Sequence, residues 1–173
     1  PVILLVLDAT LLLAAAAVAW VLYPRQYVPV YAMADVELAD FSTAPSGEVW
    51  FPGFNARGAR DIVNGGPDAV VEPGVGTLVL PPEASVDAPV PAVVILHGSG
   101  GDFTQRSVHL AQKLAAVGIA GFAVDTFRSR KLTAADDYFA RLQKAGTYTQ
   151  IADGFNALKA LQSHPYIRKD KVA

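Results

Sequence analysis

Residues 97–101, His-Gly-Ser-Gly-Gly, combine an imidazole that can carry a proton with a turn whose glycines leave the backbone open to a ligand. They follow a continuous β-branched apolar run at 92–96, which is typical of a central strand buried on both faces. A strand that ends in such a loop exposes backbone N–H groups, which can bind the negative charge developing on a reacting carbonyl oxygen. The first hypothesis is therefore an oxyanion loop.

The same glycines allow two other interpretations, both of them phosphate-binding loops. A P-loop is excluded because no Lys followed by Ser or Thr occurs at the spacing that the motif needs. The dinucleotide-binding pattern G-x-G-x-x-G is met at Gly98 and Gly100, but Phe103 occupies its third glycine position. Asp125, at the end of the next predicted strand, resembles the ribose-binding acid at a longer spacing. A nucleotide-binding oxidoreductase domain therefore stays open as an alternative.

Side chains at the ends of the predicted strands are further candidates for substrate binding. His97 can act as a base or can fix the loop through hydrogen bonds. Asp125 can orient a substrate or can cap the loop that follows it. Arg128 and Arg130 can bind an anionic substrate in bidentate fashion or can lie on a solvated loop. We retain His97, Asp125 and Arg128 as candidate substrate-binding residues, whereas His164 is predicted to lie on the surface.

The elements that position these residues alternate along the second half of the chain. Extended apolar runs occur at 77–80, 92–96 and 119–124, and helical spacing occurs from Thr104 to Val117. Strands that alternate with helices predict an α/β fold with a mostly parallel sheet and flanking helices. Ligands bind at the carboxyl ends of such strands, which is where His97 and Asp125 lie.

Three further segments complete the predicted elements. A helix predicted at 149–163 places four apolar residues on one face, namely Ile151, Phe155, Leu158 and Leu161. A short helix is predicted within 134–144, and residues 171–173 resemble the start of another strand. Upstream, strands are predicted at 36–41 and 48–51, and residues 55–76 have the Gly, Asn and Asp content of a loop.

The composition excludes several classes of protein. With 16 acidic and 14 basic residues the net charge is −2, so no basic field exists to bind nucleic acid. The absence of cysteine excludes a disulfide scaffold, a thiolate metal site and a Cys nucleophile within these residues. The pair Asp136 and Asp137 has no His partner and does not predict a metal site. Neither a metal nor a cofactor is expected.

The first 24 residues predict a membrane-associated segment. Residues 9–24 carry no charge, and Trp20 and Tyr23 end the run where aromatic rings suit the headgroup region. A transmembrane anchor is favoured, with a cleaved signal peptide at Ala17-Val18-Ala19 as the alternative. The predicted organisation is an anchor or signal at 1–24, a juxtamembrane linker at 25–47 and a catalytic-type domain at 48–173. Both alternatives indicate a membrane-anchored or exported protein of bacterial type, in the inner membrane or periplasm.

Three stretches together resemble the N-terminal half of an α/β-hydrolase, and specifically the dienelactone-hydrolase-like proteins. They are PAVVILHGSGG, LAAVGIAGFAVDTFRSR and TQIADGFNALKALQSHPYIRKDKVA, and the resemblance covers about residues 77–173. It implies a partial α/β-hydrolase fold, here preceded by one N-terminal hydrophobic helix. It also implies that Ser99, with Gly100 as a second donor, supplies backbone N–H groups to an oxyanion hole.

The resemblance implies an ester or lactone hydrolase that acts through an acyl-enzyme on a small-molecule substrate. Its nucleophile, a Ser or Cys on a G-x-[SC]-x-G elbow, would follow Ala173, and the acid and base would come later still. No such elbow occurs in these residues, so we expect the 173-residue chain alone to be inactive. A non-catalytic, membrane-tethered scaffold with the hydrolase fold is a further alternative.

Overall fold

The computed structural model describes residues 11–16, 28–64 and 69–173. Five strands form one sheet and two short strands pair separately; the seven are β1 Gly47–Phe51, β2 Phe54–Asn55, β3 Val70–Val71, β4 Gly74–Val79, β5 Val90–Leu96, β6 Ala120–Val124 and β7 Ile167–Val172. The α-helices are α1 Ala59–Val63, α2 His109–Ala115, α3 Tyr138–Lys144 and α4 Thr147–Leu161. A π-helix at Phe103–Val108 leads directly into α2, and 3₁₀ turns lie at Met33–Asp35, Phe41–Thr43 and Arg128–Arg130.

The sheet is mixed, with the strand order β1-β4-β6-β5-β7. β5 pairs in parallel with β6 on one side and with β7 on the other. β4 is antiparallel to both of its neighbours, β1 and β6. Every strand of the sheet except β4 therefore runs in one direction, which agrees with the predicted mostly parallel α/β fold.

The core lies between the sheet and α4. All five residues of β6 are buried, as the continuous apolar run predicts. The rings of Phe51 and Phe122 meet edge to face with centroids 5.5 Å apart, and Phe41 packs on Phe122 at 6.1 Å. Leu78 and Leu161 belong to the same buried cluster. This packing fixes β6, and with it the loop that begins at its carboxyl end.

α4 does not bury the face that its apolar residues predict. The side chains of Ile151 and Phe155 are 36% and 57% exposed. The buried positions are mostly small or polar and include Thr149, Ala152, Asp153, Ala157 and Leu161. Small residues let a helix approach a sheet closely, and the buried carboxylate of Asp153 has a charged partner described below. The prediction for Ile151 and Phe155 is therefore wrong, although the helix itself is confirmed.

Several predicted boundaries are corrected by the structure. The strand predicted at 36–41 is wrong, because only Leu38 forms an isolated bridge, to Trp50, between two 3₁₀ turns. The segment predicted as loop at 55–76 contains α1 and β3, and β4 already begins at Gly74. The last strand begins at Ile167 rather than at Lys171.

The predicted membrane segment at 1–24 lies mostly outside the described residues. Of it the structure describes residues 11–16, which are helical and exposed. Within the described ranges, no helix combines the length and apolar character that crossing a membrane requires.

His164 is fully buried, contrary to the surface position that the sequence predicts. Its Nδ1 accepts a hydrogen bond from the Tyr166 N–H at 3.1 Å, so its Nε2 carries the proton and donates to the Pro45 carbonyl at 3.0 Å. Burial lowers the pKa of His164 below its ordinary value, because the charged imidazolium loses its hydration, while the bond to Pro45 opposes the shift. His164, three residues beyond the end of α4, is thus a neutral structural link to the segment before β1.

This pKa shift predicts a stability contribution that is lost in mild acid. The unfolded chain takes up the His164 proton at about pH 6.5, before the folded chain does, so the contribution is complete above that pH and falls below it. We expect the free-energy difference between wild type and His164→Gln, measured by urea unfolding, to shrink from pH 7.5 to pH 5.5. The change is at most about 1.4 kcal/mol per pH unit. His109→Gln, at an exposed histidine, is the control; parallel pH profiles for wild type and His164→Gln would contradict the assignment.

Candidate active site

The candidate site lies at the carboxyl ends of β5 and β6. Because these strands are parallel neighbours, the loops that follow them meet at the same edge of the sheet. His97, the residue after β5, and Asp125, the residue after β6, have their Nε2 and Oδ1 atoms 3.8 Å apart. The fold therefore brings together the two loops that sequence reasoning selected.

Residues 98–101 form a hydrogen-bonded turn, in which the Gly101 N–H donates to the Gly98 carbonyl at 3.0 Å. Gly101 has a φ of +70°, and a Cβ at this position would lie 2.7 Å from a ring carbon of Phe127, so glycine is required there. The N–H groups of Ser99 and Gly100 donate to no acceptor in the described part of the chain. Both residues are exposed. The turn thus presents two free backbone donors.

His97 fixes the start of the loop, which agrees with one of its two predicted roles. Its side chain is 2% exposed, and Nδ1 is 2.9 Å from the Gly98 carbonyl. The imidazole packs edge to face against Phe127 at 4.6 Å and against Phe103 at 6.2 Å. Nε2 is buried without a hydrogen-bond partner and faces Asp125 at the 3.8 Å given above. This arrangement holds the imidazole between two rings.

Asp125 caps the loop that it begins, as one of its predicted roles required. Its Oδ1 accepts hydrogen bonds from the backbone N–H groups of Phe127 at 3.1 Å and Arg128 at 3.0 Å. The guanidinium of Arg128 forms a bidentate ion pair with Glu48 on β1, on exposed surface. Arg128 would have to leave Glu48 to bind a substrate anion, so its assignment to substrate binding stays a prediction.

Arg130 does not lie on a solvated loop. Its side chain is 1% exposed and forms ion pairs with two carboxylates that are equally buried. Nε is 3.2 Å from Glu72 between β3 and β4, and the two terminal nitrogens contact Asp153 on α4 at 2.9 and 3.1 Å. A further hydrogen bond reaches the Thr126 carbonyl at 2.9 Å. Arg130 therefore ties the β6 loop to α4 and to the segment before β4.

Sequence reasoning missed Arg141, which contacts the turn directly. Its Nη1 donates to the Ser99 carbonyl at 2.6 Å. The guanidinium lies 5.8 Å from the ring centre of Phe127 and 6.0 Å from that of Tyr138. Nothing in the local sequence distinguishes Arg141 from the other basic residues of a surface helix, because its partner is more than forty residues away in the chain.

Two clefts flank the turn. The His97 cleft, of about 210 Å³, is lined by Ile95, Leu96, His97, Gly98, Gly100, Gly101, Asp102, Arg106, Ser107 and Leu110. The Arg141 cleft, of about 270 Å³, is lined by Ser99, Phe127, Tyr138, Arg141, Leu142, Ala145, Gly146, Thr147 and Gln150. A larger cleft of about 580 Å³ lies between Phe41 and Lys159 and shares no lining residue with the turn. We place the site at the turn because the free N–H donors are there.

The described residues contain no group of three His, Asp or Glu side chains that could hold a metal ion. Phe103, which occupies the third glycine position of the dinucleotide pattern, begins the π-helix and packs against His97. Its side chain thus fills space beside the turn, where the dinucleotide pattern requires a glycine.

Fold and site together define an α/β protein with a glycine-rich backbone-donor loop at the carboxyl edge of its sheet. No family model matches the chain, and no curated protein matches it. Among solved structures, the chain is similar to a dienelactone hydrolase-like promiscuous phosphotriesterase from metagenomic libraries, with a TM-score of 0.48 and 22% sequence identity. The match covers 73% of this chain and 47% of that structure, so the chain spans about half the length of the protein that it resembles.

Proposed function

We propose that this chain supplies the oxyanion-binding part of an α/β-hydrolase that cleaves a small ester or lactone through an acyl-enzyme. The observation that carries the proposal is the pair of N–H groups at Ser99 and Gly100, which have no acceptor in the described chain and lie at the carboxyl end of β5. Support also comes from the sequence resemblance over about residues 77–173. That the substrate is a small ester or lactone is likewise proposed.

The chemistry assigned to the loop is the stabilisation of negative charge. When a nucleophile adds to an ester carbonyl, the carbonyl oxygen becomes an oxyanion that accepts hydrogen bonds from donors at about 2.7–3.1 Å. Backbone donors in a hydrogen-bonded turn are already oriented and need no reorganisation as the charge develops. His97 contacts the Gly98 carbonyl at the start of its loop, and Asp125 caps the loop that follows β6. The nucleophile, acid and base are assigned to polypeptide outside these 173 residues.

The test is an assay of the natural gene product that contains these 173 residues. We expect it to hydrolyse p-nitrophenyl acetate with a burst of acyl-enzyme formation and to be labelled by a fluorophosphonate if its nucleophile is a serine. The 173-residue chain is the control, and we expect it to be no faster than its own Ser99→Ala variant. A gene product that neither hydrolyses aryl esters or lactones nor accumulates an acyl-enzyme would contradict the proposal, as would hydrolysis by the 173-residue chain above its control.

We also propose that residues 1–24 attach the protein to a membrane or direct its export. The support is the charge-free run at 9–24 with aromatic residues at its end. The full chain should remain with membranes after alkaline carbonate extraction if the segment is an anchor, or begin after Ala19 in an exported fraction if it is a signal. Recovery of the uncleaved chain in the soluble fraction would refute both alternatives.

A further inference from the structure

The turn at residues 98–101 has two stereochemically accessible orientations of its central peptide, which joins the Ser99 carbonyl to the Gly100 N–H. The turn is closed by the hydrogen bond from Gly101 to Gly98, and neither Ser99 nor Gly100 has a positive φ. This combination corresponds to a type I turn. A type II turn has the central peptide rotated by about half a turn and needs a positive φ at Gly100, which glycine adopts without steric cost.

One hydrogen bond favours the observed orientation. Arg141 Nη1 donates to the Ser99 carbonyl at 2.6 Å, and this bond would be lost if the central peptide rotated. Bonds from a charged donor are about twice as strong as neutral ones. The guanidinium lies over the rings of Phe127 and Tyr138, and Asp136 attracts it electrostatically without forming an ion pair. Arg141 therefore biases a turn that glycine leaves free to change.

The orientation of the carbonyl determines the direction of the Gly100 N–H. The described chain has no cis peptide bond, and in a planar trans peptide the C=O and N–H groups point in opposite directions. Ser99 lines the Arg141 cleft, whereas Gly100 lines the His97 cleft on the other side of the turn. With its carbonyl held by Arg141, the central peptide must direct its N–H away from the Arg141 cleft.

We propose that Arg141 is a positioning residue, which holds the Ser99 carbonyl and thereby keeps the Gly100 N–H directed into the His97 cleft. The assignment of this N–H as an oxyanion donor rests on the proposed function. Its orientation does not depend on that function. Arg141 contacts no reacting atom in this proposal. It determines which of two turn types the loop adopts, and hence on which side of the turn the second backbone donor is offered.

The experiment measures the φ angle of Gly100 in the isotopically labelled 173-residue chain, from three-bond HN–Hα couplings and N–H residual dipolar couplings. We expect Arg141→Met, which keeps the aliphatic packing and removes the donor, to populate a positive φ at Gly100. Arg141→Lys, which keeps a charged donor, should return part of the population to the wild-type value. If Arg141→Met does not fold, Arg141→Gln replaces it in the same experiment. The glutamine side chain is shorter than that of arginine and cannot reach the Ser99 carbonyl in the same way.

A second substitution separates orientation from general damage. A Cβ at Gly100 meets no atom within 4 Å, so Gly100→Ala fits the observed turn. A side chain at that position disfavours left-handed backbone by roughly five- to thirty-fold in population. The double variant Arg141→Met with Gly100→Ala should therefore recover the wild-type orientation of the residue 100 N–H, which a merely structural loss of Arg141 would not allow.

Arg106→Met is the matched control, because Arg106 lines the His97 cleft and pairs with Asp102 at 2.9 Å on exposed surface without touching Ser99. It should leave the Gly100 couplings unchanged. An unaltered Gly100 φ in Arg141→Met overturns the proposal, as does an altered φ that Gly100→Ala fails to reverse. Absence of ester hydrolysis in the gene product would refute the proposed function and leave these couplings as they are, so the two failures are distinguishable.

Discussion

Replacing Arg130 with Met should cost about 3–5 kcal/mol of unfolding free energy, which is the usual range when one member of a buried ion pair is removed. The side chains of Glu72 and Asp153 are 0% and 3% exposed, so both carboxylates would lose their common cation in a place that water does not reach. Urea unfolding at pH 7.5, followed by circular dichroism, measures the loss. Arg130→Lys should be intermediate, because one ammonium cannot bind two carboxylates in bidentate fashion.

The control for this prediction is Arg168→Met. Arg168 pairs with Asp170 at 3.6 Å with both side chains well exposed, and such pairs contribute about 0–1 kcal/mol. Replacing all three buried charges together, as Arg130→Met, Glu72→Met and Asp153→Leu, should recover much of the lost stability, because no uncompensated charge remains. If Arg130→Met were no more destabilising than Arg168→Met, the network would not be the link between the β6 loop and α4 that the structure indicates.

Replacing Ser99 with Pro should lower the kcat of ester hydrolysis by the natural gene product by roughly 10²–10³-fold, the usual effect of losing one oxyanion donor. Ser99 is the second residue of the turn, where proline is accepted in type I and in type II geometry, so the substitution removes the N–H and keeps a turn at these residues. Because the donor acts on the transition state, KM should change little. Initial rates with p-nitrophenyl acetate over a range of concentrations separate the two parameters.

Ser99→Ala is the matched control, since it removes the exposed hydroxyl and keeps the backbone donor. It should retain nearly wild-type kcat, and both variants should unfold within about 1 kcal/mol of wild type, because exposed substitutions usually have small effects. Equal kcat values for the Pro and Ala variants would remove Ser99 from the oxyanion hole. A low kcat in Ser99→Ala would instead assign a role to the hydroxyl, which the present proposal does not give it.

The parts of the fold that sequence predicts well are those set by local patterns. β5 and β6 are continuous apolar runs, and their shared edge follows from the parallel α/β rule. The predicted burial is complete for β6 but only partial for β5, where Leu96 is 40% exposed. Asp125 caps its loop because a carboxylate that begins a turn can reach the N–H groups two and three residues ahead. These interactions span a few residues, so the sequence is sufficient to predict them.

The parts that sequence does not predict depend on partners far away in the chain. Arg130 is buried because Glu72 and Asp153 reach it from two other elements, and neither partner can be identified from the loop itself. α4 turns Asp153 toward the core, where it meets Arg130, and the predicted apolar face that carries Phe155 is left exposed. Arg141 is indistinguishable from a solvated helix residue until the fold places it beside Ser99. In each case tertiary pairing overrides the local pattern.

The position of β6 between β4 and β5 also determines the order in which the sheet can be completed during synthesis. β4 ends at Val79 and β5 at Leu96, but β6, their common neighbour, begins only at Ala120. At about 5–20 residues per second, β4 leaves the ribosome several seconds before β6, the second of the two strands that it pairs with. Through that interval β4 and β5 both carry an unpaired apolar edge. Strands in this state associate readily with other chains, so the nascent protein is exposed to aggregation until β6 emerges, and β5 keeps a second unpaired edge until β7 follows at Ile167.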